Sequence, residues 1–597
     1  MLGLIHYEKG DYIKADELLS KFSAEENSPL KSKKILIVTK LRLNKTDDAI
    51  KIISTEIKNH PNEADLHALL GSAHLVKSNL TLSISSFKKA LSISPKHAEY
   101  LNNLAKAYIL NKQTRLAVST AQQALSAEPK KSKSNAILLT LIRALVANKD
   151  YEQAKKNLDI WLKKEPDNII ALNITAALEQ KNNNHKKAKS IFNKVITIDP
   201  TNIQATISLS LYSIKEQNID KTFELLSTTL LEHPDNPQLL SLLLRLSQGK
   251  TNNEKVASIL SKTIEKHNLA IRARLALSQL HLKNKQADKA LVVIKNLTEI
   301  DNKNYQAYLF KAQAYLLQNN LDEAEKTLLL LTALHEDKPE SYSELAKLYL
   351  RKKNPDNAIN YAKKTIKLAP NVLIGHIELA KAYIQKGNHN SAREEVKTIL
   401  KLAPSSHIGH EIEADILLRE KKYTKAHNQL QLAWTKTKNI PLANKLLFVL
   451  QKLGQTDKAT NAWTELSNDH KKNLKIQIDY SLALYQNKQY LRAQKVLEEL
   501  LKSHPKNTLI LNNLASIYLE TDDKRALATA KLALNNEPDN PAIKDTVGWI
   551  YSTQYKDYDS AIPLLKDAYT KTGNKQIKEH LVETLKNAGR EHEIDKI

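Results

Sequence analysis

The chain has 597 residues and a formal net charge of +25, from 90 Lys and Arg against 65 Asp and Glu. The absence of cysteine excludes disulfides, thiol nucleophiles and cysteine-ligated zinc. No stretch approaches 18 uninterrupted apolar residues, which excludes a transmembrane helix. Only 11 glycines argue against sheets, phosphate-binding loops and long flexible linkers, and 42% hydrophobic with 5% aromatic residues suits helices packed through small side chains.

Two ladders organise the rest. Pro61, Pro95 and Pro129 stand 34 residues apart, as do Pro166, Pro200 and Pro234, and again Pro370 and Pro404. Pro166 to Pro404 is 238, or seven times 34, so the register survives where the proline is missing. Twelve residues before each such position sits a small residue: Ala15, Ala49, Ala117, Ala154, Ala188, Ala290, Ala324, Ala358, Ala392, Ala426, Ala459, Ala493, Ala526 and Ala561, with Ser83, Thr222 and Val256 in the gaps. A small side chain at one fixed place is what two antiparallel helices need where their backbones approach. Nine residues earlier a ring often appears, as Tyr108, Tyr315, Tyr349 and Tyr383, with His74 and His281 in the same slot. The proline follows the second helix and pre-sets the next turn.

This spacing of small residue, ring, alanine and proline resembles the tetratricopeptide (TPR) pattern, a two-helix unit with a period of 34 residues, and it covers essentially the whole chain. The resemblance implies an all-α TPR solenoid, a right-handed superhelix of about 17 helix-turn-helix repeats. A solenoid extends its core in one dimension, so a single array over 1–597 is expected rather than several globular domains. Three stretches are distinguished: N-terminal repeats over 1–130, central repeats over 131–440, and C-terminal repeats with a terminal helix over 441–597.

Taken in order, the first stretch opens inside a helix A, which points to a truncated sequence or a misplaced start codon. Its start lacks the basic flank and cleavage site of a signal peptide. Gly10-Asp-Tyr-Ile-Lys-Ala15 reads as the turn into helix B. Pro129 to Pro166 is 37, so a loop longer by three residues is expected over Pro129-Lys-Lys-Ser-Lys-Ser-Asn135. In the central stretch, Thr222 and Val256 predict looser repeats, and Ser247-Gln-Gly-Lys-Thr-Asn-Asn-Glu254 predicts an irregular turn. Gly249-Lys250-Thr251 lacks the upstream glycine and preceding strand of a nucleotide-binding loop. Lys367-Leu-Ala-Pro370 and Lys401-Leu-Ala-Pro404 are internal copies. From 440 to 505 the proline is lost and one unit is a residue short. Pro563 is expected early in a helix B, and the chain closes on a helix from about Lys575 to Asn587 with a tail that starts another helix or caps the end.

No catalytic arrangement emerges, and no cofactor or metal is expected. His407, His410 and Glu411 lie within one turn, but His410 and His376 occupy the same packing slot of successive repeats. Glu394/Glu395 and Glu498/Glu499 are adjacent on helix B and do not face each other. The candidate binding surface is the groove lined by the A helices. There Leu101-Asn-Asn-Leu-Ala105 and Leu511-Asn-Asn-Leu-Ala515 present Asn102, Asn103, Asn512 and Asn513, whose amides bond peptide backbones. Lys106, Arg143, Arg245, Lys347 and Lys381 share one slot and match, by position, the side chains with which peptide-clamping TPR proteins hold an extended ligand. The expected activity is a non-catalytic protein-interaction scaffold, with protein or peptide ligands, acidic ones favoured by the charge. Lysines on the outer face of a solenoid are otherwise simply solvated.

The segments Leu511-Asn-Asn-Leu-Ala515, Glu537-Pro-Asp-Asn-Pro541 and Asp545-Thr-Val-Gly-Trp549, with the opening Leu2-Gly-Leu-Ile-His-Tyr7, are similar to bacterial TPR-repeat lipoproteins of the PEP-CTERM/exosortase system. That resemblance implies a scaffold in the cell envelope, serving export of surface polysaccharide and sorting of tagged proteins. The family's lipidated cysteine is absent here. A periplasmic or membrane-anchored place follows if the N-terminus is truncated, and a cytoplasmic adaptor otherwise. Two further readings are the recognition arm of a larger enzyme, such as a glycosyltransferase, and a nucleic-acid-binding helical repeat. The last is disfavoured because the rings sit at packing positions rather than on a stacking surface.

Overall fold

The computed structural model describes residues 2–23, 28–128 and 134–596. Among these, every long element is an α-helix, and the helices pair in order into seventeen hairpins followed by the lone Lys575–Asn587 helix. The expected all-α repeat solenoid is therefore what the chain forms. The chain divides into two compact units, 1–280 and 281–597, each taken by itself below. The loop expected at Pro129 lies mostly outside the described residues.

A typical repeat pairs a thirteen-residue helix A, such as Ala98–Leu110, with a fourteen-residue helix B, such as Thr114–Ala127. The small-residue ladder sits where the two helices cross: all fourteen alanines, and Ser83, Thr222 and Val256, have no exposed surface. Thr222 and Val256 are thus as fully enclosed as the alanines they replace, and the expected loosening is not seen in their burial. Ser83 satisfies its hydroxyl by donating to the Gly71 carbonyl at 2.7 Å. Gly409 marks another close approach, because a Cβ there would lie 2.7 Å from the Leu400 side chain. The ring slot is a packing slot too, with Tyr108 and Tyr349 at 5% and 6% exposure.

The turns repeat as strictly as the helices. After helix A one residue adopts the left-handed conformation, as Asn44, Ser78, Lys112, Asn183, Gln217, Lys285, Asn319, Lys353, Lys421 and Lys488 do with φ between 56° and 62°. The following N–H reaches back to the helix, Asn79 to the His74 carbonyl at 2.9 Å and Gln113 to that of Tyr108 at 2.9 Å. This closes the helix end with the six-to-one bond of a Schellman turn. After the proline, asparagine often caps the next helix A: Asn168 Oδ1 accepts from the Ala171 N–H at 3.1 Å, and Asn202, Asn304 and Asn507 act alike. Such a cap satisfies one of the donors that the first helical turn leaves open.

Three places depart from the beat. At the predicted irregular turn, helix A ends early at Arg245 (Pro237–Arg245), and Gly249, with φ of 74°, opens an eighteen-residue helix to Lys266. The break is thus confined to 246–248, and Thr251 to Glu254 are helical. In the repeat short of a residue, helix B is split at Thr460 into Thr456–Ala459 and Asn461–Asp469. Near the C-terminus, a π-helical turn over Tyr551–Tyr555 extends Pro541–Ile550. Pro563 lies past the first turn of Tyr558–Thr572, deeper than expected, so one intrahelical bond is forgone. The tail ends in a short 3₁₀ segment, Glu591–Lys596, whose Ile594 packs on the last cluster with Leu581 and Leu585.

Within each unit the A helices also touch one another, as Leu30–Arg42 does Ala64–Val76 and Pro339–Arg351 does Leu373–Lys386. They form a continuous layer with the B helices behind. This layer carries the polar residues singled out by their slot.

Candidate functional site

In the first unit, Asn103 and Lys106 share one turn of Ala98–Leu110, and Lys106 Nζ donates to Asn103 Oδ1 at 3.1 Å. Burial holds the Lys106 ammonium below the usual lysine range, and the charge of Arg143 on the next A helix adds to the effect. Arg143 borders a recess of ≈ 440 Å³ walled by Ile142, Val146, Ile170 and Ile174, with Asn173 at its side. Asn102 is buried at 6% exposure, its Oδ1 without a partner. Arg245 stands apart, exposed at the end of its shortened helix.

In the second unit, Lys347 and Lys381 enter a row of charges across four successive A helices. Lys347 pairs with Glu344 at 2.7 Å and lies 3.8 Å from Glu378. Glu378 is 2% exposed and accepts from Ser343 Oγ at 2.8 Å, while its other oxygen has no partner. Burial pushes its carboxyl up to about 7, against the weaker pull of Ser343 and Lys347. Further on, Lys445 bridges Asp415 at 2.6 Å and Glu411 at 2.9 Å. Burial raises the Asp415 pKa despite that lysine; Lys445 itself is desolvated, yet Asp415 and Glu411 outweigh this and raise it. Lys381 acts electrostatically on both Glu378 and Asp415 without an ion pair of its own among the described residues.

The third place is a cavity of ≈ 380 Å³ formed by the A helices Leu474–Gln486, Thr508–Glu520 and Pro541–Ile550 with Lys575–Asn587. Asn512 and Asn513 line it together. Asn512 Oδ1 is enclosed without a hydrogen-bond partner. Trp549 stacks on His580, ring centroids 4.2 Å apart and planes 14° apart, and His580 Nδ1 donates to Asp545 Oδ1 at 2.8 Å. Across the cavity the Tyr485 hydroxyl donates to Glu520 Oε1 at 3.2 Å. Burial first, and the Glu520 carboxylate second, push Tyr485 up to about 12, so it remains a donor.

The candidate residues other than Arg245 thus gather into three separate places. Models of the tetratricopeptide repeat match residues 37–98, 281–348 and, for a further model, 98–131, 176–202 and 339–372. A model described as the N-terminal TPR repeats region of Psidin matches 381–536. The chain is a tetratricopeptide-repeat protein. No curated protein matches this TPR chain. Solved structures similar to it include Naa15/Naa10 bound to HypK-THB, at 15% identity over 100% of this chain and 96% of that one, TM-score 0.34. The APC/C hetero-tetramer Cut9–Hcn1 is 16% identical over 89% and 98%, TM-score 0.32, and MamA 20% identical over 26% and 89%, TM-score 0.24.

His376 and His410, the slot-matched histidines of the TPR array, are packing residues. His376 bonds Glu395 at 2.7 Å and the Pro370 carbonyl at 2.9 Å, and His410 bonds Gln429 at 2.9 Å. His407 lies 3.8 Å from Glu411. Among the described residues no group of three or more His, Asp or Glu is placed to hold a metal. No helix among them is long and apolar enough to cross a membrane. Slot matching missed Glu378, Asp415 and Lys445, and the Asp545–His580–Trp549 cluster. A buried position held by an acid, such as Glu378 beside buried Ile377 and Leu379, was the available signal for the first.

Proposed function

We propose that this chain is a non-catalytic scaffold that seats extended segments of protein partners along its A-helix layer. TPR arrays are typically non-catalytic interaction modules, and the observation that supports this use of the groove is where polar capacity is left over. Among the described residues, buried side-chain atoms without a hydrogen-bond partner recur on A helices: Asn102, Asn173, Glu378, Gln385 and Asn512. A buried polar atom left unpaired costs about 1–3 kcal/mol; the unpaired atoms are all acceptor oxygens, and an extended backbone brings the N–H donors that would satisfy them.

The test places photo-crosslinking side chains in the full-length protein in its own cell. Positions Lys381 and Asn513 on the A layer are compared with Lys397 and Lys502 on B helices. Discrete protein adducts from the A positions and not from the B positions are expected. Adducts from B positions alone would sink the reading.

The narrower reading is a cell-envelope scaffold for polysaccharide export and protein sorting. It is supported by the resemblance carried by Leu511–Ala515 and Asp545–Trp549, segments that contribute Asn512, Asp545 and Trp549 to one cavity. Fractionation of the native product decides it: membrane or periplasmic recovery supports this role, and cytosolic recovery rejects it.

A further inference from the structure

The cavity of the last repeats has the opposite character to the protein around it. On a chain of net charge +25, its lining includes the carboxylates of Asp545 and Glu520 and neither Lys nor Arg. Asn512 Oδ1 is enclosed there without a donor, His580 engages Asp545 through one oxygen, and Glu520 accepts from the hydroxyls of Tyr485 and Tyr490. The amides of Asn512, Asn513, Asn574 and Gln576 both donate and accept, so what sets this lining apart is that its fixed charge is negative only. Its walls include the stacked Trp549 and His580 rings and Tyr485.

A ligand that fits must bring several N–H donors, positive charge and a flat face. An anion is excluded by the carboxylates. An ammonium brings charge and donors without the flat face. A guanidinium has five donors in a planar fork, pairs with carboxylates and stacks on aromatic rings. We propose that this cavity binds an arginine side chain of an extended peptide segment, with Asp545 and Glu520 taking the guanidinium N–H groups, Asn512 Oδ1 accepting from the ligand, and Trp549 packing against its plane. The inference rests on the protein-binding reading above and adds the chemistry that one section of the groove selects.

The chain carries its own reporter. Trp161, Trp434 and Trp463 are 3%, 5% and 1% exposed, whereas Trp549 is partly open to the cavity, so a ligand-induced change in tryptophan emission reports on this site. The full chain is titrated with short Gly/Ser-flanked peptides that differ at one central residue: Arg, its neutral isostere citrulline, Lys or Glu. The Arg peptide is expected to bind about tenfold more tightly than the citrulline peptide, the difference a charge-assisted pair makes. Asp545→Asn keeps an acceptor for His580, and Glu520→Gln keeps one for Tyr485. Each is expected to erase most of the preference while leaving the melting temperature unchanged.

Equal binding of Arg and citrulline peptides, or a preference that survives both substitutions, would overturn the proposal. So would a Trp549 response to a neutral oligosaccharide and to no peptide, which would mark a sugar site. Loss of the Arg preference with A-layer crosslinks intact refutes this inference alone. Loss of those crosslinks refutes the wider reading.

Discussion

Glu179 in the first unit and Glu378 in the second are both 2% exposed and both lie on A helices, yet their carboxyls move in opposite directions. Glu179 stands in the ring slot and faces helix B. There Lys187 approaches to 2.9 Å and Lys155 to 3.4 Å, and Asn184 Nδ2 donates at 2.8 Å. The hydrogen bonds from Lys187 and Asn184 outweigh desolvation and bring it to about 2. Glu378 points along the A layer, where Ser343 offers one hydroxyl and Lys347 stays 3.8 Å away, and it rises to about 7. Depth of burial does not set the charge of a buried acid; the number of donors within bonding distance does. The helix A–helix B seam is electrostatically closed at Glu179, whereas the A layer at Glu378 keeps unused capacity.

The strongest way to break the contrast is to loosen the seam. Phe192→Ala empties a fully buried side chain on helix B of the repeat that carries Glu179. A loss of about 3–5 kcal/mol is expected. In a solenoid the loosening stays with neighbouring repeats, so hydrogen exchange should rise around 169–215 and not around 339–402. Exchange that rises equally in both places would contradict the nearest-neighbour picture.

Charge removal separates the two acids directly. A shift of one pKa unit is worth 1.36 kcal/mol, so Glu179→Gln is expected to cost about 2–3 kcal/mol at pH 7. The folded carboxyl titrates near 2 and the unfolded one near 4.5, so the contribution is present above pH ~4.5 and drains away as pH falls towards ~2. Glu378 has the reverse sign. Its folded form holds a proton more tightly than the unfolded chain, so stability declines as pH rises from ~4.5 to ~7 and stays lowered above that. Glu378→Gln is expected to stabilise the protein by about 2–3 kcal/mol at pH 8 and to have little effect at pH 4. Urea unfolding at the three pH values reads both. Parallel pH profiles for the two variants would dissolve the comparison.

Helix caps give a smaller effect on the same seam. Asn168→Ala removes the bond to the Ala171 N–H at the start of the Glu179 helix, with an expected loss of about 1 kcal/mol. The smallest effect concerns the turns. Lys353 and Lys488 hold left-handed φ values of 56°, a conformation glycine adopts without a Cβ clash. Lys353→Gly is expected to stabilise by about 0.5 kcal/mol, the steric relief being partly offset by glycine's greater entropy loss, and thermal melts of the single and double variants measure it.

The repeat pattern was legible because its signals are redundant. Each alanine of the ladder marks a wholly buried crossing, and the prolines mark the ends of B helices. The break at 246–248 was foreseen from a cluster of turn-forming residues, whereas the π-helical turn at Tyr551–Tyr555 had no such mark. The left-handed turn residues escaped notice because Asn, Ser, Lys and Gln fill a position that glycine would have announced. For the candidate site, slot arithmetic placed Asn103 with Lys106 and Asn512 with Asn513, since residues on one turn of one helix need no further geometry. It did not reveal that Asn102 turns inward, nor that Lys347 and Lys381 flank a buried acid.

The amino-acid sequence by itself determined the architecture: seventeen helical hairpins in register, because apolar and small residues at period 34 can be buried by neighbours in the chain and by nothing else. Tertiary structure alone decided the chemistry of the A layer. Glu378 meets Ser343 from 35 residues away, and Asp545 meets His580 across another 35. Those polar positions are left free by the packing period, so their charge and partners follow from how adjacent A helices lie side by side.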